Sequence, residues 1–425
     1  MKANLPETSK KRIVIIGAGF AGLTLAKNLV KLDYQIVLLD KNNYHQFQPL
    51  LYQVATGGLE AGAIAYPIRK IFNNKQNIHI RLAEVTLINN ENKTLETNIG
   101  KIWYDYLVIA TGAENNYFGN KNLENNCIGM KNLTEALDIR SLLLQNMEKA
   151  LLIEDEKEKD SYLNIVIIGG GPTGVELAGA LSEMKKYILP KDYPELDFNL
   201  MDIHLIESNE RVLAAMDPIS SEKAKKYLLE MGVKVENKTR VNDYDGTNVI
   251  LNNGTQYTSK TVVWAAGIRG KFINGLNIEC INKSGRYICN ENLSVKGYEN
   301  IFAIGDIACI ITEKTPNGNP QLATVAMQQG EFLFNIFKNL EKNINNKFVY
   351  KNKGVMATVG RNKAVVELPY YKFGGYFAWL IWMFIHLMSL VGFRNRLSVF
   401  VTWLYNYLNY EKALRLIIRP YKKTN

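Results

Sequence analysis

Two stretches of the chain share one pattern of apolar and polar positions: a run of β-branched residues, a glycine-rich break, then small and apolar residues at helical spacing. The first is RIVIIGAGFAGLTLA from Arg12, and the second is IVIIGGGPTGVELAGA from Ile165. A short continuous apolar run reads as a buried strand, and the change of period after the glycines reads as a helix packed against it. Each pair leads to another apolar run that closes on an acid, QIVLLD at Asp40 and MDIHLIE at Glu207. YLVIATGA from Tyr106, TVVWAAGI from Thr261 and NIFAIGDIA from Asn300 read as further strands. The pattern also predicts a β-meander over 78–88 and 93–106, helices over 133–153, 220–231 and 320–339, and strands over 348–368. Residues 154–160 are a charge run that reads as a solvated loop. Residues 41–60, rich in Asn, Gln and aromatics, show no period and read either as a surface loop or as a segment lining a ligand.

The glycines turn this pattern into chemistry. Strand, Gly17/Gly19/Gly22 and helix, repeated as strand, Gly169/Gly171/Gly174 and helix, make two dinucleotide sites. The first glycine of each set allows a tight turn, the second lets backbone amides approach a pyrophosphate, and the third lets helix and strand pack closely. The helix N-terminus favours the phosphate charge. Asp40 and Glu207 stand where a carboxylate accepts hydrogen bonds from ribose hydroxyls; the second copy reaches its acid by a longer path because 187–199 are inserted. Gly305-Asp306 places a further carboxylate at a strand end, within reach of a ribityl hydroxyl. That strand belongs with the first nucleotide unit, so one domain is inserted in the other. The expected fold is α/β: two Rossmann-like dinucleotide-binding domains, one inserted in the other, plus a C-terminal membrane-associating helical segment. The boundaries are 1–118 and 299–345 for the first domain, 119–298 for the inserted one and 346–425 for the tail.

Composition adds partners. A length of 425 residues fits two or three domains, and a net charge of +10 with a pI near 9.1 suggests an anionic partner, nucleic acid or an acidic membrane surface. Cys127, Cys280, Cys289 and Cys309 form no C-x-x-C pair and the histidines are dispersed, which predicts a reducing compartment, no redox dithiol and no metal. The N-terminus lacks the apolar core of a secretory signal. From Phe373 to Phe393 there is no Asp, Glu, Lys or Arg, and Trp379, Trp382 and Trp403 cluster in the tail. Beyond Gly392 the tail becomes basic, with Arg394, Arg396, Lys412, Arg415, Arg419, Lys422 and Lys423 against Glu411. Its densest apolar part, 376–391, carries His386 and falls short of the roughly 20 residues of a span. It reads as two helices in the membrane interface, apolar faces in the acyl boundary and basic groups toward headgroups. A buried dimer interface and a span are the alternatives.

With these motifs in place, the chain resembles the two-dinucleotide-binding-domain flavoproteins and, within them, the type II NADH:quinone oxidoreductases. The wider likeness rests on both glycine sets with their acids, Ala110-Thr111-Gly112 and Gly305-Asp306; the narrower one rests on FQPLLYQVATGGLE, GPTGVELAGALSEM, YILPKDYPELD, ATVAMQQG and AWLIWMFIHLMSLVGFRNRL. The resemblance implies FAD at Gly17, Gly19, Phe20, Ala21, Gly22, Asp40, Lys41, Gln53, Val85, Ala110, Thr111, Gly112, Gly305 and Asp306. It implies NADH at Gly169, Gly171, Pro172, Thr173, Gly174, Glu207, Ala266 and Gly267. It also implies hydride transfer from NADH to FAD and electron delivery to a membrane quinone, menaquinone or ubiquinone, without proton pumping. Gln328 and Thr324 are the implied quinone residues, although Thr324 replaces the first Gln of the family pattern Ala-Gln-x-Ala-x-Gln. Glu176 reads as a first-turn acid favoured by the helix dipole. The resemblance places it between nicotinamide and flavin, orienting the one or relaying a proton.

A homodimer attached peripherally to the cytoplasmic face of the inner membrane is expected, with no nucleic-acid partner. A soluble NADH-dependent flavoprotein that reduces an iron-sulfur carrier is the alternative, but it needs no aromatic basic tail. A sulfide:quinone oxidoreductase would need paired cysteines, and a signalling module would hold its reduced complex without rapid turnover. NADH is expected over NADPH because Glu207 repels a 2′-phosphate and no arginine follows it before Arg211.

Overall fold

The computed structural model describes residues 3–313, 315–340, 346–409 and 414–422, so Glu411, Lys412 and Lys423 of the expected basic tail lie outside the described residues. The chain forms two compact units, each discontinuous in sequence: 1–45, 66–114 and 268–352 make the first, and 46–65, 115–267 and 353–425 the second. This division differs from the expected boundaries, most of all in three segments. Residues 46–65 join the second unit because the helix Leu51–Ala55 packs on Leu133–Ala150 and Pro172–Tyr187. Residues 353–425 join it because the strand Val355–Thr358 lies on Pro172–Tyr187. Residues 268–298 join the first unit, where Tyr287–Cys289 pairs in parallel with Ala308–Ile310.

The core of the first unit is a five-stranded parallel sheet in the order Ile301–Ala303, Tyr106–Ile109, Arg12–Ile16, Gln35–Asp40, Ile78–Leu82. Arg12–Ile16 is buried along its whole length, as its unbroken apolar run requires. It sits between Gln35–Asp40 and Tyr106–Ile109, in register Ile13↔Ile36 and Ile13↔Tyr106. The strand order reverses there, so the crevice at its carboxyl end is the ligand-binding end of such a sheet. The expected meander is therefore two structures: Ile78–Leu82 pairs in parallel with Gln35–Asp40, and only Val85–Asn89, Thr94–Thr97 and Ile102–Trp103 form an antiparallel sheet.

The second unit repeats the plan in the order Ile128–Gly129, Thr261–Trp264, Ile165–Ile168, Ile203–Ile206, Lys234–Glu236, again with the strand that feeds the glycine turn at the centre. The charge run proves to be part of a helix, Glu156–Leu163. The Asp155 side chain caps it by accepting from the Glu158 N–H, acids stand in its first turn, and Ser161 and Leu163 give it a buried side. Leu50, Leu51, Val54 and Ala55 are buried, so the stretch without a period contains core as well as surface. The helix expected from 320 begins at Ala323 in the first unit. The strands expected over 348–368 are confined to Val355–Thr358 and Ala364–Glu367, with Lys372–Gly374 as a third.

The tail is two helices, Tyr376–Ser389 and Phe393–Asn409. Ala378, Trp382, Val399 and Trp403 are buried, whereas Phe377, Phe384, Phe393 and Leu408 are 75%, 65%, 78% and 70% exposed. Among the described residues no helix is long and apolar enough to cross a membrane. Two expectations about this tail change. Trp382 faces the protein, not the surroundings, and the basic residues divide: Arg415 pairs with Asp192 at 2.6 Å and Arg419 pairs with Asp138, which leaves Arg394, Arg396 and Lys422 outside the ion pairs of the described residues.

Candidate active site

The two glycine turns are built alike, bond for bond. In the first, the Gly17 N–H donates to Leu39 O and the Ala110 N–H to Ile16 O; in the second, Gly169 donates to Ile206 O and Ala265 to Ile168 O. A Cβ on Gly22 would stand 1.9 Å from Gly17 O, and one on Gly174 would stand 1.9 Å from Gly169 O, so helix and turn approach to a distance that no side chain permits. Gly19 and Gly171 are the opposite case. A Cβ there would meet nothing within 4 Å, which leaves an open cradle above the backbone where a pyrophosphate needs one.

The acids bind their own turns. Asp40 Oδ2 accepts from Ala18 N at 2.7 Å, and Glu207 Oε2 accepts from Gly170 N at 2.6 Å. Burial pushes the Asp40 carboxyl up, against the opposing N–H donors of Ala18 and Asn42 and the charge of Lys41. Glu207 is also fixed by Asn209, whose backbone and side-chain N–H groups both donate to Oε1. Arg211 donates to Ala214 O and Met216 O and so is engaged with its own loop.

The other expected residues divide between the units. Phe20 and Ala21 open the first helix, Thr111 Oγ1 donates to Lys271 O, the Gly112 carbonyl accepts from Lys271 N, and a Cβ on Gly305 would lie 3.2 Å from Ala21 Cβ. Val85 opens its antiparallel strand. Pro172 and Thr173 start the second helix at the surface, and Ala266 and Gly267 follow the strand Thr261–Trp264. Gln53 lies in the second unit: Oε1 accepts from the Trp403 indole at 2.7 Å and Nε2 donates to the Tyr52 hydroxyl at 2.8 Å. In the first unit, Gln328 Nε2 donates to Lys351 O and its Oε1 accepts from Lys351 N, while the Thr324 hydroxyl meets Tyr350 OH at 3.0 Å. Its neighbour Gln329 is the buried one, with Oε1 on the Gly305 N–H at 2.6 Å. Gln329 is unremarked in the sequence reading, although the repeated Gln was visible.

Glu176 is the fifth residue of Pro172–Tyr187, past the first turn, so the dipole reading lapses. It is buried, at 7% exposure. Thr358 N donates to it at 3.4 Å. Burial pushes its carboxyl up to about 8, only partly opposed by that N–H and by the nearby Trp382 indole, which meets no acceptor at full hydrogen-bonding distance. The acid is therefore protonated at neutral pH. Tyr52, Thr358 and Trp382 separate it from a cavity of about 130 Å³ that also reaches Glu183, Arg361 and Trp403. His386 stacks on Trp382 with centroids 4.0 Å apart, and burial pushes its ring down to about 4, so it is neutral there. Tyr52 and Glu183 carry no role in the sequence analysis, and Trp403 figures there only in the aromatic tail. Glu183 alone had a signal, its spacing of two helical turns from Glu176.

Residues 11–330 match the family described as pyridine nucleotide-disulphide oxidoreductase, and residues 352–409 match the NDH2 C-terminal domain. Type II NADH:quinone oxidoreductase NdhA of Mycobacterium tuberculosis is 36% identical over 412 residues, 93% of this chain and 86% of that one. The type II NADH:quinone oxidoreductase of Staphylococcus aureus is 30% identical over 374 residues, 84% of this chain and 89% of that one. The solved structure of NDH2 from Plasmodium falciparum in complex with NADH superposes with a TM-score of 0.88 at 23% identity, over 96% of this chain and 100% of that one.

Two outcomes follow from these geometries. Substituting Glu207→Gln removes the charge that opposes a 2′-phosphate, and the ratio of kcat/KM for NADH over NADPH should fall about tenfold, or ~1.4 kcal/mol; steady-state kinetics with both nucleotides measures it. Glu176 has a folded-state pKa above its unfolded value of 4.5, so between about 4.5 and 8 the unfolded chain ionises while the folded one stays neutral. Stability should therefore fall as pH rises through that window, by about 1.4 kcal/mol per unit. In Glu176→Gln this slope should vanish, with a Tm above that of the wild type at pH 8 and no gain at pH 4, as read by thermal melts.

Proposed function

The chain belongs to the type II NADH:quinone oxidoreductases, within the pyridine nucleotide-disulphide oxidoreductases, and we propose that it carries out their reaction from a bilayer on which its tail helices rest. FAD and NADH are its cofactors and a quinone its electron acceptor. FAD, when bound, supplies a ring that takes a hydride and returns two electrons to the quinone. The residues suited to hold FAD are those of the first unit: Gly19 and the amides of the following helix at the pyrophosphate, Asp40 at the ribose and Asp306 at the ribityl chain. Those suited to NADH are their counterparts in the second unit, with Glu207 at the ribose. Glu176, neutral and buried, is the proton donor to the reduced acceptor, because a carboxyl with a pKa near the working pH gives up and regains a proton at little cost.

The observation that carries the membrane part is the exposed face of the tail. Phe377, Leu380, Phe384 and Met388 follow one helical stripe, and Phe393, Leu397, Phe400, Leu404 and Leu408 another, all at 40% exposure or more. Two amphipathic helices of this kind lie in an interface and do not span it. The large apolar side chains contribute about 1.5–3 kcal/mol each on burial, whereas Arg394, Arg396 and Lys422 add about 1 kcal/mol apiece near anionic headgroups and are screened by salt. Attachment to the cytoplasmic side of the inner membrane, and a homodimer, belong to the same proposal and rest on the resemblance.

Detergent should accordingly release the protein from membranes where about 1 M salt, with a Debye length of about 3 Å, does not, as sedimentation would show; release by salt alone would mean that charge dominates. Gln328 keeps one N–H and one lone pair beyond its bonds to Lys351, and we assign these to the quinone carbonyl region. Gln328→Ala should leave flavin bleaching by NADH intact and slow reoxidation by quinone several-fold, for a contact of about 1 kcal/mol. Stopped-flow measurement of each half-reaction checks it, and loss of the NADH step alone would place the quinone elsewhere.

A further inference from the structure

Reduction of a quinone by NADH is not balanced by the hydride alone: NADH + H⁺ + quinone gives NAD⁺ + quinol. The hydride brings both electrons and one hydrogen nucleus, and the second must arrive as a proton from water. Glu176, the group that would deliver it, is buried and must be reloaded after each turnover. We propose that the cavity under the tail is the proton intake for this step, with Glu183 taking protons from the surface and Tyr52 passing them on to Glu176. The inference rests on the reading of this chain as a quinone reductase.

Four observations meet here. Glu183 follows Glu176 by seven residues on Pro172–Tyr187, so the two carboxyls share a helix face about 10 Å apart along the axis, too far for direct transfer. Glu183 lines the cavity and is half-buried, so it meets solvent, whereas Glu176 does not. Tyr52 lines the same cavity and feels the charge of both carboxyls. The hydroxyl oxygen accepts from Gln53 Nε2, which is itself fixed by the Trp403 indole on Gln53 Oε1, so the Tyr52 hydrogen is left to point at a carboxylate or a water. The cavity, about 130 Å³ with Tyr52, Gln53, Thr358 and Asn406 on its walls, has the room and the polar partners for several waters.

At the inner end Thr358 and Trp382 offer Glu176 only N–H groups, and Tyr52, from Leu51–Ala55, feels its charge. At the outer end the Arg361 N–H donates to Glu183 and the Arg361 guanidinium lies 3.8 Å over the Tyr407 ring, so Glu183 is fixed at the mouth. Each transfer moves one proton from an O–H donor to an oxygen acceptor: Glu183 to water or Tyr52, Tyr52 to Glu176, and Glu176 to the quinone oxygen. The chain ends unchanged, with one solvent proton consumed per quinol.

The test uses FAD-loaded full-length protein in stopped flow, with Glu183→Gln and Tyr52→Phe, which preserve shape, and Glu183→Ala. Flavin bleaching by NADH should proceed at the wild-type rate in all three. Reoxidation by a short-chain quinone at pH 8 should slow about tenfold, a modest share of what acid–base groups contribute, with a larger solvent deuterium effect and unchanged KM. Reoxidation by ferricyanide, which takes electrons without protons, should not change, and formate should restore the rate of Glu183→Ala. Quinone rates equal to wild type in Glu183→Gln and Tyr52→Phe would overturn the proposal. So would equal losses with ferricyanide, which would assign these residues to the fold, or a raised KM confined to long-chain quinones, which would assign the cavity to the quinone tail. Failure of the wild type itself to reoxidise with any quinone would instead sink the underlying reading.

Discussion

Each nucleotide turn is held by a single carboxylate that closes the neighbouring strand, and the rest of the architecture is arranged around these two bonds. Asp40 on Ala18 and Glu207 on Gly170 are charge-assisted contacts to backbone amides, the strong class of hydrogen bond. They tie the central strand and its neighbour together where a ligand must enter, so the turn is set before any ligand arrives. The same acid then has further lone pairs to offer a ribose. Structure and recognition thus use one residue twice, which explains why turn, strand and acid repeat as a set in both units.

The second unit adds a buried, neutral acid. Pro172–Tyr187 begins at the open cradle of Gly171, carries Glu176 one turn further in, and brings a half-buried Glu183 to the wall of the cavity. One helix therefore links the glycine cradle, the buried acid and a half-buried one. The tail closes this arrangement. Trp382 and Trp403 are buried and form one wall of the cavity, whereas the opposite side of the same helices is left apolar and uncovered. A tail that only attached the protein would not need its tryptophans turned inward. Here Trp403 also binds Gln53 and orients Tyr52 through it, and the Trp382 indole lies near Glu176.

Much of this was legible in the chain before any coordinates. The two strand-turn-helix units, their acids, the Gly305-Asp306 strand end and the paired tail helices all follow from short-range rules, because a glycine spacing or an apolar period is a local property. Local rules misjudged other segments. Glu156–Leu163 was hidden by its charge, since the cap at Asp155 and two buried residues suffice to form a helix that periodicity does not report. Ile78–Leu82 looked like its antiparallel neighbours, because a strand's partner is not written in its own residues.

The sequence by itself therefore determined which residues can turn, which can cradle a phosphate and which face of a tail helix is apolar. Tertiary structure decided the rest. It moved 46–65 and 353–425 into the second unit, engaged Gln53 with Trp403 across 350 positions of chain, and made the expected first-turn acid Glu176 a buried neutral one. The physical reason is the same each time. A hydrogen bond or an apolar period needs only near neighbours, but burial, and the pKa it sets, depends on what packs above a residue from distant parts of the chain.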